Sequence, residues 1–166
     1  VGTKSLHSVF GTGANNLWAV GNTGTILKGD GTSWTTQMTQ ATDDLHGVWA
    51  SPDGNVWVVG ESGTIVHSSG VDWDIDRPTA EHLQDVWGSA TDNVWAVGTA
   101  GTTLRWDGTK WTVIPSKSSN QLNAVWGTGY DDPRLVHVHV CNLRRKLVEG
   151  VDGPRHGGDP GTTRGA

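Results

Sequence analysis

Residues 93–111 read NVWAVGTAGTTLRWDGTKW. An apolar run, Val94 to Val97, stops at Gly98; a second short run follows Gly101-Thr102; and Asp107-Gly108 precedes a closing Trp111. Short β-branched and aromatic runs separated by glycine-containing turns read as consecutive antiparallel strands. The same order occurs twice upstream. Leu17-Trp18, Val56-Trp57 and Val94-Trp95 each run into Val-Gly, at Val20-Gly21, Val59-Gly60 and Val97-Gly98. Gly-Thr follows at Gly24-Thr25, Gly63-Thr64 and Gly101-Thr102, and then a tryptophan at Trp34, Trp73 and Trp111. Ahead of each unit a leucine stands three residues before a valine–aromatic pair: Leu6 with Val9-Phe10, Leu45 with Val48-Trp49, Leu83 with Val86-Trp87. Leu122 with Val125-Trp126 opens a fourth unit, and the leucines lie 39, 38 and 39 residues apart.

A period near forty residues with four short strands per unit is that of a propeller blade. The expected fold is all-β: an incomplete β-propeller of three four-stranded blades, over residues 6–44, 45–82 and 83–121, with the start of a fourth at 122–132. In the first blade the strands are expected at 6–10, 17–20, 25–28 and 34–37. Asp30-Gly31 and Asp107-Gly108 predict hairpins whose two central residues both adopt positive φ. Tryptophans recurring at one register read as packing between neighbouring blades. His7 and His46 share a repeat position with Gln84 and Asn123, which reads as a polar surface position. Closed rings use about four to eight blades, so the chain reads as a fragment whose partners include the missing blades.

Composition supports the β reading. The chain has 24 glycines and 10 tryptophans against one Phe, one Tyr and one Met. A single cysteine, Cys141, excludes an internal disulfide, and no apolar run approaches the ~18 residues of a transmembrane helix. Charge splits the chain: residues 1–132 hold 6 Lys/Arg against 14 Asp/Glu, net −8, whereas 133–166 hold 6 against 3, net +3. An acidic repeat region argues against nonspecific nucleic-acid binding by the blades.

The pattern L-x-x-V-W-G, VWAVG-x-x-GT, DG-x-x-W over residues 1–132 resembles bacterial β-propeller repeats, particularly those of large secreted or surface proteins of myxobacteria. More loosely it is similar to BNR/sialidase-type and photosystem-assembly-factor-type propellers. The resemblance implies a non-catalytic binding or scaffold module on an extracellular or cell-surface protein, with a protein or carbohydrate ligand, no catalytic residues, no cofactor and no metal. A sialidase-type Asp-box, S/T-x-D-x-G-x-x-W, is only half matched, because Asp30-Gly31 and Asp107-Gly108 are adjacent. A propeller glycosidase-like hydrolase would also need an arginine cluster, and the repeats offer Arg77 and Arg105 alone.

The repeat breaks at Pro133-Arg134, where an apolar–Trp pair is due. Residues 134–147, RLVHVHVCNLRRKL, resemble the recognition helix of OmpR/PhoB-type winged-helix regulators, with Gly153-Pro154-Arg155 matching a later element. Val136, Val140, Leu143 and Leu147 would share one helical face. The resemblance implies a short helix over about 134–147, disorder beyond it, and DNA contacts from His139, Arg144, Arg145 and Lys146 in a cytoplasmic regulator. A frame slip or chimeric join near Asp132 explains the same break.

Two further clusters are weighed against plainer readings. His137, His139 and Cys141 would line one side of a strand as metal ligands but point apart on the expected helix. Asp72, Asp74 and Asp76 alternate along an edge strand, yet lack the glycine turn and terminal Glu of a calcium loop, so a solvated edge is expected. No P-loop, dinucleotide motif, nucleophile elbow or H-E-x-x-H occurs.

Overall fold

A computed structural model of the chain describes residues 4–128 and 137–141. Three four-stranded antiparallel sheets follow one another, each a meander in which consecutive strands are neighbours. Blade 1 holds β1 (Leu6–Gly13), β2 (Asn16–Gly21), β3 (Thr25–Gly29) and β4 (Trp34–Thr36). Blade 2 holds β5 (Leu45–Ala50), β6 (Val56–Gly60), β7 (Ile65–Ser68) and β8 (Trp73–Asp76). Blade 3 holds β9 (Leu83–Ala90), β10 (Asn93–Gly98), β11 (Thr103–Trp106) and β12 (Trp111–Val113). The first strands β1, β5 and β9, with β13 (Ala124–Thr128), lie side by side and form the inner row. These are propeller blades, as the forty-residue period requires. Among the described residues no helix is long and apolar enough to cross a membrane.

Strand alternation explains why the middle blade is apolar on successive residues. Side chains at alternate positions face opposite sides of a sheet, and blade 2 has a neighbour on each side. Val56, Val58 and Val66 pack with Trp18, Val20 and Ile26 of blade 1. Trp57, Val59 and Ile65, between them in sequence, pack with Leu83, Val94, Ala96 and Leu104 of blade 3. Each fully buried aliphatic side chain contributes about 1.5–3 kcal/mol. The L-x-x-V spacing places Leu45 and Val48 in one cluster although they are three residues apart. A β-bulge makes this possible: pairing jumps from Leu45↔Gly60 to Gly47↔Val59, leaving His46 as the extra residue. His7 and Gln84 are skipped at the same place in β1 and β9.

The glycines that punctuate the repeat are set by the segments joining the blades. A Cβ on Gly21, Gly60 or Gly98 would stand 1.9, 2.2 or 2.0 Å from the carbonyl oxygen of Ser5, Asp44 or His82. Gly24, Gly63 and Gly101 have φ of +64°, +68° and +72°, and a Cβ there would stand 1.7–1.9 Å from Ala41, Thr79 and Ser118 oxygens. Each β2–β3-type turn thus sits against the strand leading into its own blade and the one leaving for the next. The two positive-φ residues expected at Asp-Gly belong here instead: Thr23, Ser62 and Ala100 each have φ of +52° beside the glycine. At Asp30-Gly31 and Asp107-Gly108 only the glycine is left-handed, because the aspartate is engaged in capping the turn with its carboxylate.

The end of the chain departs from expectation. Residues 137–141 form strand β14 (His137–Cys141), antiparallel to β13 with Trp126↔His139 and Ala124↔Cys141 paired. The described part of the expected 134–147 helix is therefore extended backbone, and pairing reaches past Asp132 to Cys141. Val138 and Val140 alternate as β-branched residues, and β13 offers an open edge, so strand pairing prevails over the helical spacing. The remainder of that helix lies outside the described residues.

Substitution at these glycines separates steric fit from general tolerance. Gly63→Ala should cost more than about 2 kcal/mol, since it combines a positive φ with a backbone collision. Gly13→Ala, with nothing within 4 Å of the added carbon, should change stability by less than about 0.5 kcal/mol in the same denaturant titration.

Candidate functional site

A cleft opens where the inner strands end. Phe10, Trp49 and Trp87 occupy one register of β1, β5 and β9 and are followed by Gly11, Ala50 and Gly88. Together with Thr12, Pro52, Ser89 and Gly127 they line a cavity of about 450 Å³. Trp49 lies across the next blade, where a Cβ on Gly88 would come within 2.7 Å of its ring. The glycines here make room for neighbouring side chains, since a Cβ on Gly11 would likewise stand 2.6 Å from Leu17 Cδ2. The hydroxyls at the rim serve the turns beside them. Asn16 donates to Thr12 Oγ1 at 2.6 Å and Asn93 to Ser89 Oγ at 2.8 Å, while Ser51 donates to the Asp53 carboxylate and accepts from Asn55 N–H at 3.1 Å. Among the described residues no histidine is hydrogen-bonded to these hydroxyls.

At the other end of the inner row the two bulge histidines meet. His7 and His46 stack with ring centroids 5.3 Å apart and planes 18° apart, and His7 Nδ1 lies 3.0 Å from Leu45 O. Burial, and then the neighbouring His7, lower the His46 pKa, against Glu61 and Asp44. The polar position expected at the surface is exposed at His7 and half-buried at His46, and the pair also makes an aromatic contact that joins two blades.

Asp85 is the inner-strand carboxylate whose pKa is raised, by burial. A perturbed acid at an inner strand is a catalytic candidate. Here both of its oxygens are engaged: Oδ1 accepts from Val86 N–H and Oδ2 from Val125 N–H of the following blade, each at 2.9 Å. Arg77 is directed to the Asp43 carboxylate. Arg105 donates to Asn93 Oδ1 at 3.0 Å and lies 5.8 Å from the Trp95 ring. The two repeat arginines thus sit in separate blades, each with a local partner. Among the described residues no group of three or more His, Cys, Asp or Glu is placed to hold a metal. Of the DNA-contact candidates, His139 lies on β14, and Arg144, Arg145 and Lys146 fall outside the described residues.

The hairpin aspartates cap their turns. Asp107 Oδ1 accepts from Thr109 N–H, Thr109 Oγ1 and Lys110 N–H, and Asp30 does the same for Thr32 and Ser33. These bonds hold both carboxyls below their usual range, Asp107 at about 2.

One repeated pairing was hidden in the sequence. Each second-strand tryptophan stands cross-strand from a basic residue ten positions later: Trp18↔Lys28, Trp57↔His67 and Trp95↔Arg105. Lys28 Nζ is 5.3 Å from the Trp18 ring, and His67 stacks on Trp57 with centroids 4.4 Å apart. The constant spacing of ten would have revealed it.

No family model matches the chain, and no curated protein matches its sequence. Among solved structures, a chain described as YCF48 bound to D1 peptide superposes with a TM-score of 0.64 at 15% identity, over 76% of this chain and 45% of that one. The chain thus spans less than half the length of that protein, and the likeness shows the β-propeller fold.

Removing Asp85 should loosen the junction between blade 3 and β13. Asp85→Ala leaves the Val125 amide without its acceptor, and stability should fall by about 1–3 kcal/mol, with faster hydrogen exchange at Val125. Asp107 gives the acid-side signature. Its folded pKa is depressed, so its contribution is complete above the ordinary value of 3.8 and is lost as pH falls toward about 2. Carboxyl-carbon titration by NMR should place its midpoint well below the ordinary value of 3.8.

Proposed function

We propose that the chain is a β-propeller binding module that receives an extended segment of a partner protein at the ends of its inner strands. The observation that carries this reading is the cleft itself: aromatic side chains from three blades at one register, with small residues and rim hydroxyls beside them. Apolar clefts with a few polar groups at the rim are the usual form of a recognition site, and extended peptides are bound through aligned backbone and side-chain pockets. The propeller that resembles this chain was solved with a peptide bound, which supports a polypeptide ligand.

A second surface supports a longer row of blades. Leu6 and Val9 are 51% and 66% exposed, whereas their counterparts Leu45, Val48, Leu83, Val86, Leu122 and Val125 are at most 5% exposed. Those counterparts are covered by the preceding blade. We propose that a further blade of the same kind covers Leu6 and Val9, in the same protein or in another copy.

Both readings can be tested on the chain as it stands. Thr12→Trp with Pro52→Trp, two exposed rim residues, should weaken capture of peptides from a randomised array by about tenfold or more while leaving the melting curve unchanged. Undiminished peptide capture, or selective binding on a glycan array instead, would sink the peptide reading. For the exposed face, sedimentation should show concentration-dependent association that Leu6→Lys with Val9→Lys abolishes; a monomer at every concentration would count against it.

A further inference from the structure

Three copies of one blade provide internal controls, because a residue found in one copy alone is not demanded by the repeat. The outer cleft between blades 2 and 3 collects such departures. It measures about 190 Å³ and is lined by Trp57, His67, Asp74, Asp76, Trp106 and Trp111 among others. Trp106 stands where blade 1 has Gly29 and blade 2 has Ser68, each paired with the closing tryptophan of its blade. It brings a second indole beside Trp111, with centroids 5.7 Å apart and planes 47° apart, and both rings remain partly exposed. Asp74 and Asp76 stand where blade 1 has Thr35 and Gln37 and blade 3 has Thr112 and Ile114. They alternate with Trp73 and Ile75, which pack toward blade 1. The two carboxylates therefore face Trp106 and Trp111 across the cleft; both are exposed, as expected of a solvated edge, and that edge forms one wall of the cleft.

Charge in this cleft is uncompensated. Arg77, next in sequence to Asp76, gives its backbone N–H to Asp76 and its guanidinium to Asp43. Among the described residues no basic side chain pairs with Asp74 or Asp76. In blades 1 and 3 the cross-strand partner of the second-strand tryptophan is a permanent cation, Lys28 or Arg105; in blade 2 it is His67, whose pKa burial lowers against the pull of Asp74. Lys110 is turned to the Asp107 side of its hairpin, where its charge helps hold that carboxyl down.

We propose that this cleft is a second binding site, for the basic side chain of a partner polypeptide, lysine or arginine. Its size points the same way, since drug-sized ligands fill pockets of roughly 300–1,000 Å³, and this one suits a single side chain. A cation over the face of an indole is attracted by the ring quadrupole, and two carboxylates opposite supply the ion pair and the hydrogen-bond acceptors that a guanidinium or ammonium needs. The site lies on the outer part of the blades, distinct from the inner-strand cleft, and stands or falls independently of it.

The repeat also supplies the substitutions that test it. Trp106→Ser installs the residue blade 2 carries, and Asp74→Thr with Asp76→Gln installs those of blade 1, so each variant keeps a side chain this fold already accepts. The probe is N-acetyl-arginine amide, with neutral N-acetyl-citrulline amide as its isosteric control, followed by NMR through the indole N–H signals of Trp57, Trp106 and Trp111. Saturable shifts with the arginine compound and none with citrulline are expected. Trp106→Ser should weaken binding by about 2- to 30-fold, the range for loss of one indole face, and the double aspartate variant should remove the salt dependence. Equal binding of citrulline or of a neutral sugar would overturn the proposal. So would the absence of saturable shifts at millimolar concentration, or unchanged binding in Trp106→Ser at a folded-state spectrum like the parent's.

Discussion

Everything in this array is positioned by the contact between each β2–β3-type turn and the connecting strands that enter and leave its blade. The turn donates from Asn22, Glu61 and Thr99 N–H to the carbonyls of Ser5, Asp44 and His82 at 2.9–3.0 Å. The paired glycines let backbone rest on backbone with no side chain between. This geometry decides where the next inner strand starts, and hence the spacing and inclination of successive blades. Side chains from the connectors close the arrangement: Asp44 accepts from Thr23 N–H at 2.8 Å, and Thr64 donates to Asp43 at 2.8 Å. Because the fit is steric it tolerates almost no variation, which is why Val-Gly and Gly-Thr recur unchanged while residues between them drift.

Once the blades are so placed, hydrophobic burial fills the space between them. Blade 2 is buried on both faces, so its second strand reads as a continuous apolar run, although its residues belong alternately to different clusters. Trp57, 1% exposed, fills the gap toward blade 3 and Val58 the gap toward blade 1. The bulge residue lets Leu45 and Val48 serve the same cluster. Stability in such an array is close to a sum of blade terms and nearest-neighbour interfaces, and the Asp85 bond to Val125 adds a polar tie to one of those interfaces.

Much of this was legible beforehand because the repeat amplifies each signal. The three blades within this chain, their strand order and the packing role of most tryptophans follow from period and alternation. What could not be read were contacts that need register or depth: the His7–His46 stack depends on a bulge, and the Asp30 cap depends on a carboxylate folding back over its own turn. The tail shows the opposite limit. Residues 136–140 satisfy a helical spacing and a strand alternation at once, and local pattern cannot arbitrate between them. An unpaired strand edge at β13 is what tips the described part toward β14.

The candidate sites separate along the same line. Phe10, Trp49 and Trp87 recur by register, so the inner-strand cleft is a by-product of the repeat that evolution could put to use with few changes. Trp106, Asp74 and Asp76 do not recur: blade 1 has Gly29, Thr35 and Gln37 at those positions, although Trp106 also packs against the core cluster between blades 2 and 3. A feature that is absent from the sister blades is where a difference in binding between blades can arise. Internal comparison within one chain thus does part of the work that comparison among relatives would otherwise do, provided that the register of each copy is known from the structure.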